Sequence, residues 1–423
     1  MPLNQPLKMD LDLVRRFLGQ DIEIVNKTGS SRIAVAEGVP IYLDKATQQV
    51  KLEYLSSLGG INFALGGIDA YQFLADTLNF ANDAKFIQNP AGVKDASGTK
   101  RITIVQPGDD VKAKLEAAPN GCWVIILPGE YYTSSAIDLS AKCNFRVTGF
   151  GFATGTDYDP TIIYTDQNIK VFDFGSNGGW DNVVVENLRI EQRGGEQGYG
   201  IYCSQWNAGK QLFLDRVYVY DFTYGILYQG GSRIHISRCI ADNCSTGIYA
   251  RATEEWSYVE RCFARNNYIG IYIAGSRGLQ VLNCDSNGNS YNYLYANISG
   301  TTYPIFKHCH SRDAGSAHIR LETSYDPSSY PVFLTLDGFY VIGNGGEDVI
   351  RFTGSYSATP IIIRNFTIKG DFAYFMQNQA TNKPAIISSF ISNDARDATF
   401  SSGVFDDTSY YTFEEIGHNV GLL

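Results

Sequence analysis

Gly200-Ile201-Tyr202, Gly225-Ile226-Leu227-Tyr228, Gly247-Ile248-Tyr249 and Gly270-Ile271-Tyr272 recur at steps of 25, 22 and 23 residues. A second marker keeps the same step: Cys239, Cys262, Cys284 and Cys309 are separated by 23, 22 and 25 residues. Two independent markers with one period define a structural repeat. Within each period, short apolar segments alternate with polar residues and are broken by Asn, Gly, Ser or Asp, as in Leu212-Phe213-Leu214 followed by Val217-Tyr218-Val219. Alternation at period two means strands, and the polar breaks are turns. A repeat of this length that already holds three strands leaves no room for a helix. The predicted fold is therefore all-β: a right-handed parallel β-helix of about 22 to 25 residues per coil, each coil stacked on the next at about 4.8 Å.

Stacking places residues one period apart directly above one another. Cys239, Cys262, Cys284 and Cys309 then form an inward ladder in the column that Leu188 and Val217 occupy earlier, which is packing rather than chemistry. Asn243 and Asn266 are expected to stack their amides at a turn. The period extends downstream through His318–Glu322, Val349–Phe352 and Ile361–Phe366, and upstream through Val183–Ile190 and Phe145–Gly149, for roughly ten coils. Ahead of it, Asp109 to Ala118 reads as a short helix with an Asp cap, stopped by Pro119-Asn120-Gly121. Such a helix covers the open first coil and blunts an edge that would otherwise pair with another chain. The divisions are a module over 1–100, a linker and capping helix over 101–118, the β-helix over 119–405 and a short tail over 406–423. The first module lacks the period. It contains predicted strands at Asp21–Val25, Arg32–Val35 and Pro40–Leu43, glycine hinges at Gly59-Gly60 and Gly66-Gly67, a helix over Ala70–Ala81 and a linker over 89–98.

The 423 residues carry 34 Lys+Arg against 44 Asp+Glu, a net charge of −10, which excludes a nucleic-acid binder held by bulk positive charge. The 42 Gly, 28 Tyr and 24 Phe against 3 Met disfavour helices and suit pleated surfaces. No ordinary secretory signal opens the chain and no stretch approaches a membrane span, so synthesis in a cytoplasm and no membrane insertion are expected. The eight cysteines form no C-x-x-C pair and read as reduced and buried. No dinucleotide, phosphate-loop or nucleophile-elbow motif stands in a strand-to-helix setting, and no cofactor is expected. His308-Cys309-His310 sends its cysteine inward and its histidines outward, so it predicts no metal site.

The order of capping helix, Val124-Ile125-Ile126-Leu127-Pro128-Gly129-Glu130-Tyr131, Val147-Thr148-Gly149-Phe150-Gly151 and Gly-Ile-Tyr coils resembles the pectate-lyase-like superfamily of β-helices over about residues 105 to 400. With a non-repeating module of about 100 residues ahead of it, the chain resembles the tailspike proteins of tailed bacteriophages. The resemblance implies a homotrimer of side-by-side β-helices in the virion tail. The 1–100 module would attach it to a phage tail or baseplate adaptor protein, and a groove would take bacterial surface polysaccharide. Many relatives depolymerise that polysaccharide and some only bind it. Glycosidic hydrolysis is the favoured expectation over elimination; a non-catalytic receptor-binding spike and a stand-alone polysaccharide lyase or hydrolase are the alternatives.

Candidate binding residues follow the Gly-Ile marker. With Ile201, Ile226, Ile248, Ile271, Leu294, Ile319 and Ile350 read as inward, the outward column is Tyr202, Leu227, Tyr249, Tyr272, Tyr295, Arg320 and Arg351, six steps or about 29 Å long. Tyrosines suit the apolar faces of sugars, and Arg suits their hydroxyls and acids. The same strip suits a subunit interface equally well. For catalysis, glycoside cleavage requires two carboxylates about 5 Å apart for retention or about 6.5–9.5 Å for inversion. Rung counting supplies both: Glu186 and Asp215 one rung apart, and Glu191 and Asp242 two rungs apart with Tyr220 between them and Asp221 beside them. Arg189, Arg193 and Arg216 are near enough in sequence to neutralise these acids, and Glu254, Glu255 and Glu322 are further candidates.

Overall fold

A computed structural model describes residues 102–423 without 152–159, 176–178, 205–209, 231–232, 253–256, 298–302, 324–333, 355–359, 381–384, 391–397, 401, 403–411 and 416–423, and, of residues 1–101, five strands. The chain divides into two compact units, Met1–Ile104 and Val105–Leu423. In the first, strands Val25–Lys27, Ser30–Ala36, Val39–Asp44, Gln49–Leu52 and Asn62–Ala64 pair antiparallel in sequence order. The first three match or adjoin the strands expected from the sequence, and the last two were not anticipated. The expected glycine hinges, the helix over 70–81 and the linker over 89–98 lie outside the described residues.

The second unit is the right-handed parallel β-helix, of about eight turns rather than ten. One wall is a ten-stranded parallel sheet that includes Lys170–Asp173, Tyr199–Cys203, Tyr224–Gly230, Thr246–Ala252, Ile269–Ala274, Tyr291–Asn297, Ala317–Thr323 and Asp348–Gly354; we call it wall 1. Each rung then contributes two strands to a larger sheet, as Arg233–Ser237 and Ile240–Asp242 do, and these form walls 2 and 3. The inward residues stack in register: Ile201, Ile226, Ile248, Ile271, Tyr293, Ile319 and Ile350 pair in succession along wall 1. The cysteine ladder is as expected, with Cys239, Cys262, Cys284 and Cys309 buried in the core and no disulfide formed; Cys143 alone of the eight is only half-buried.

The corner between walls 2 and 3 repeats one backbone device. Asn187, Arg216, Arg238, Arg261, Asn283, His308 and Asn365 all adopt φ between 52° and 56°, so the chain turns through a single left-handed residue at each rung. The corner between walls 3 and 1 carries the polar ladder, one residue later than expected. Asn243 donates to Asp221 Oδ1 (2.7 Å) and Asn266 to Asp242 Oδ1 (3.0 Å), so the two do not bond each other. The stacked amides are Asn267 and Asn289, both buried: Asn267 Oδ1 accepts from the Cys244 amide (2.8 Å) and Asn267 Nδ2 donates to Asn289 Oδ1 (2.9 Å). A turn inside the coil has backbone N–H groups that water cannot reach, and this is what selects amide side chains there.

The open first rung is covered by helix α1 (Val111–Ala117). Asp110 caps it by accepting from the Ala113 amide (3.0 Å), and Val111 and Leu115 are buried in the core. Lys142 donates to the Glu116 carbonyl (2.7 Å) and Glu116 accepts from the Asp138 amide (2.8 Å), pinning the helix to the strands beneath it.

Candidate functional site

On wall 1 the outward column reads Tyr202, Leu227, Tyr249, Tyr272, Leu294, Arg320 and Arg351, by successive parallel pairing. Tyr202, Tyr249, Tyr272, Arg320 and Arg351 therefore face outward as expected. Tyr295 is corrected: it points into the solenoid and is 1% exposed, while Leu294 takes its place on the outer face. The reason lies at Tyr293, whose hydroxyl reaches the Cys284 carbonyl (2.9 Å) and the His310 carbonyl (2.8 Å) inside the coil. A buried phenol with two acceptors fixes the phase of its strand, and Tyr295 follows two residues on.

The column has neighbours that the sequence reading missed. Tyr199 and Tyr224 stand beside it, each one residue before a repeat glycine, and that recurrence was the signal available. Ring centroids run Tyr202 to Tyr199 at 5.2 Å, Tyr199 to Tyr224 at 5.4 Å, Tyr224 to Tyr249 at 6.2 Å and Tyr249 to Tyr272 at 4.8 Å. Five half-buried tyrosines thus form one connected strip across four rungs, about 14 Å. At its lower end Lys170 Nζ lies 3.5 Å from the Tyr202 ring centroid; above it, Arg320 covers Tyr291 at 4.8 Å, and the exposed Tyr268 packs on Tyr291 at 5.6 Å. Burial raises the phenol of Tyr249 and pushes that of Tyr272 up to about 12, so both remain protonated donors at neutral pH.

The four candidate carboxylates lie elsewhere. Glu186 and Asp215 are paired one rung apart, as the rung count required, but on the corner between walls 2 and 3. Glu186 Oε1 accepts from Arg146 Nε (2.7 Å) and Thr148 Oγ1 (2.8 Å); Asp215 takes Arg238 through both Nε (2.7 Å) and Nη2 (2.6 Å), and Arg216 Nε at 3.1 Å. Glu191, Tyr220 and Asp242 occupy three successive positions on wall 3, again as counted. Glu191 is held by Arg189 and by Arg193 Nε (2.9 Å), and Arg193 also forks onto Glu130. Asp242 accepts from Tyr218 Oη (2.7 Å), Arg265 Nε (2.8 Å) and Asn266. Burial and this Asp242 contact raise the Tyr218 phenol to about 12. Each acid is thus embedded in structural ion pairs, and none shares wall 1 with the tyrosines.

One carboxylate differs. Asp221 ends the strand Gln211–Tyr220 at φ 67°, on the corner that leads into wall 1 three residues before Tyr224. Its hydrogen bond comes from the neutral Asn243 amide, and burial pushes its carboxyl above the ordinary range. Glu322 pairs with Arg320 at 3.1 Å, and Glu254 and Glu255 lie outside the described residues. His308 sits on the left-handed corner and His310 faces out beside Tyr340, so the triplet diverges as expected. Among the described residues no three His, Cys, Asp or Glu gather as a metal would need, and no helix is long and apolar enough to cross a membrane.

No curated protein matches the sequence. Among solved structures, the A-module of the mannuronan C-5 epimerase AlgE4 of Azotobacter vinelandii is 14% identical, with 74% of this chain and 95% of that chain covered and a TM-score of 0.48. The catalytic domain of a GH87 alpha-1,3-glucanase in complex with tetrasaccharides is 11% identical, with 78% and 70% covered and a TM-score of 0.48. ORF18 of Geobacillus virus E2 is 15% identical, with 86% and 68% covered and a TM-score of 0.41. At such identities the likeness is to a chain path, and no residue's role passes across. The family described as "Right handed beta helix region" matches residues 199–368, the stretch that holds the tyrosine strip, and the chain over its second unit is an all-β, right-handed parallel β-helix.

Proposed function

We propose that this chain is a polysaccharide-binding β-helix of the tailspike kind, displayed on a phage tail as a homotrimer and presenting wall 1 to a bacterial surface glycan. The observation that carries the reading is the connected strip of Tyr202, Tyr199, Tyr224, Tyr249 and Tyr272. Sugar rings offer flat C–H faces that stack on aromatic rings, and phenols that keep their protons can hydrogen-bond the hydroxyls at the ring edges. Parallel strands present such groups at a fixed rise of about 4.8 Å, which suits an extended repeating ligand better than a compact one. The test is retention on an array of purified bacterial capsular and O-antigen polysaccharides, with Tyr272→Ala alongside. Retention of the natural chain by one or a few polymers, weakened about tenfold in Tyr272→Ala, is the expected result; retention of both proteins alike would place the binding surface elsewhere.

A second reading, hydrolysis of the bound polymer, is favoured by Asp221. A general acid must hold its proton near neutral pH, and Asp221 is the candidate whose environment pushes in that direction without a cation on it. On this reading the natural chain shortens the polysaccharide it retains, and Asp221→Asn retains it without shortening. If Asp221→Asn cleaves as the natural chain does, Asp221 is not the acid. If neither cleaves, the chain is a binding spike.

A further inference from the structure

The cations on the described strands of wall 1 would distinguish a charged glycan from an uncharged one, and each of them already has a partner. Lys170, at the lower end of the tyrosine strip, has Asp173 at 3.4 Å. Arg320 has Glu322 at 3.1 Å and a weak bond to Thr353 Oγ1 at 3.3 Å. Arg351 gives Nε to Asp348 (2.7 Å) and Nη2 to the Ser316 carbonyl (3.0 Å). Arg251, one column across, is not free either. Arginine recognises a carboxylate by offering a vacant fork of N–H donors, and on Arg351 that fork is divided between a buried aspartate and a backbone carbonyl. Between these ends the strip itself is built of tyrosines and includes no Lys, Arg, Asp or Glu.

The long-range term points the same way. The chain carries −10, so a polyanion approaches against the field of the whole molecule and finds no uncompensated cation on the described strands of the wall. An uncharged chain meets neither obstacle; its binding comes from ring contact and from hydroxyl hydrogen bonds to phenols and to the outer edges of the existing ion pairs. We infer that the polysaccharide taken by wall 1 is an uncharged one, read by stacking and hydroxyl contacts rather than by charge. The inference rests on the glycan reading given above.

The same array, sorted into neutral polymers and polymers bearing uronic acid or phosphate, tests it at low and at physiological salt. The expected hits are neutral, and their retention changes by less than about twofold with salt. A hit among the acidic polymers that weakens as salt rises overturns the charge inference and leaves the glycan reading standing. Absence of retention in both classes overturns the two together. Glu322→Gln supplies an independent check, since it uncovers Arg320 at a half-exposed position: it should raise low-salt retention of acidic polymers by about threefold or more, and no change would mean that Glu322 does not mask that cation.

Discussion

Gly225 shows at the scale of one residue why the repeat is written as it is. A Cβ there would lie 2.7 Å from the Gly247 carbonyl oxygen and 2.9 Å from Val219 Cγ2, and at Gly247 the same contact recurs with the Gly270 carbonyl. Backbone cannot retreat as a side-chain tip can, so Gly225→Ala should lower the thermal midpoint by an amount equivalent to about 1–3 kcal/mol, measured by calorimetry against the natural chain. Asp242 gives a second prediction. Asp242→Asn replaces a buried carboxylate by a neutral amide opposite the Arg265 guanidinium, which is exposed enough for water to solvate it, and should cost about 1 kcal/mol while polysaccharide retention persists; a loss of cleavage or binding with unchanged stability would return Asp242 to the functional site. Most individual positions were legible because one marker fixes a phase and alternation carries it along the strand. Tyr295 was misread because its rung, Tyr291-Asn292-Tyr293-Leu294-Tyr295, lacks the Gly-Ile marker, and aromatic residues at alternate positions fit either phase until the hydroxyl of Tyr293 finds its carbonyls.

At the scale of an element, the glycine column of wall 1 gives way to larger residues partway along the solenoid. Gly200, Gly225, Gly247 and Gly270 are followed in the same position by Asn292, His318 and Val349, and the space they fill holds a buried polar chain. Asn289 Nδ2 donates to Asn292 Oδ1 (2.8 Å), Asn292 Nδ2 to Ser311 Oγ (2.9 Å), Ser311 Oγ meets His318 Nδ1 (2.8 Å), and His318 Nε2 stands 3.5 Å from Glu347 Oε1. Burial pulls His318 below its ordinary 6.5 against the opposing pull of Glu347 and Asp313. Burial pushes Glu347 up, but its bonds with His318 and the Asn344 amide outweigh that, and its carboxyl ends below the ordinary 4.5. Both folded-state values lie under the unfolded ones, so the unfolded chain takes up the extra protons in acid. Stability from this network is whole above pH 6.5 and falls as the pH drops, first through His318 and then, below 4.5, through Glu347. His318→Gln should flatten the upper part of that dependence, as followed by thermal midpoint against pH; an unaltered profile would remove His318 from the account. The capping helix was legible in the sequence because it is a local pattern, and the cysteine ladder because it repeats at the same step as the Gly-Ile marker. The amide ladder was placed one residue early because Asn243 and Asn266 recur as regularly as Asn267 and Asn289 do, and only burial of the turn amides separates the two columns.

For the whole molecule, what the sequence could not supply was which residues share a wall. Rung counting gave the spacing of Glu186 with Asp215 and of Glu191 with Asp242, but their placement on walls 2 and 3, apart from the tyrosines, depends on where the corners fall. The proposed assembly is a trimer, and light scattering should give a mass near three times 46.8 kDa; a monomer would favour a stand-alone protein. Neither mass by itself says which wall meets the ligand. Wall 2 offers the natural reference, since Phe213 and Tyr258 line its outer face with His235 between them at 6.1 and 5.7 Å. The most direct measurement is the dissociation constant of the best-retained polysaccharide for the natural chain, for Tyr249→Ala on wall 1 and for Phe213→Ala on wall 2. A loss of about tenfold or more in Tyr249→Ala, with Phe213→Ala unchanged, is the predicted result; a loss in Phe213→Ala with Tyr249→Ala unchanged would contradict it and leave the tyrosine strip to an interface between subunits.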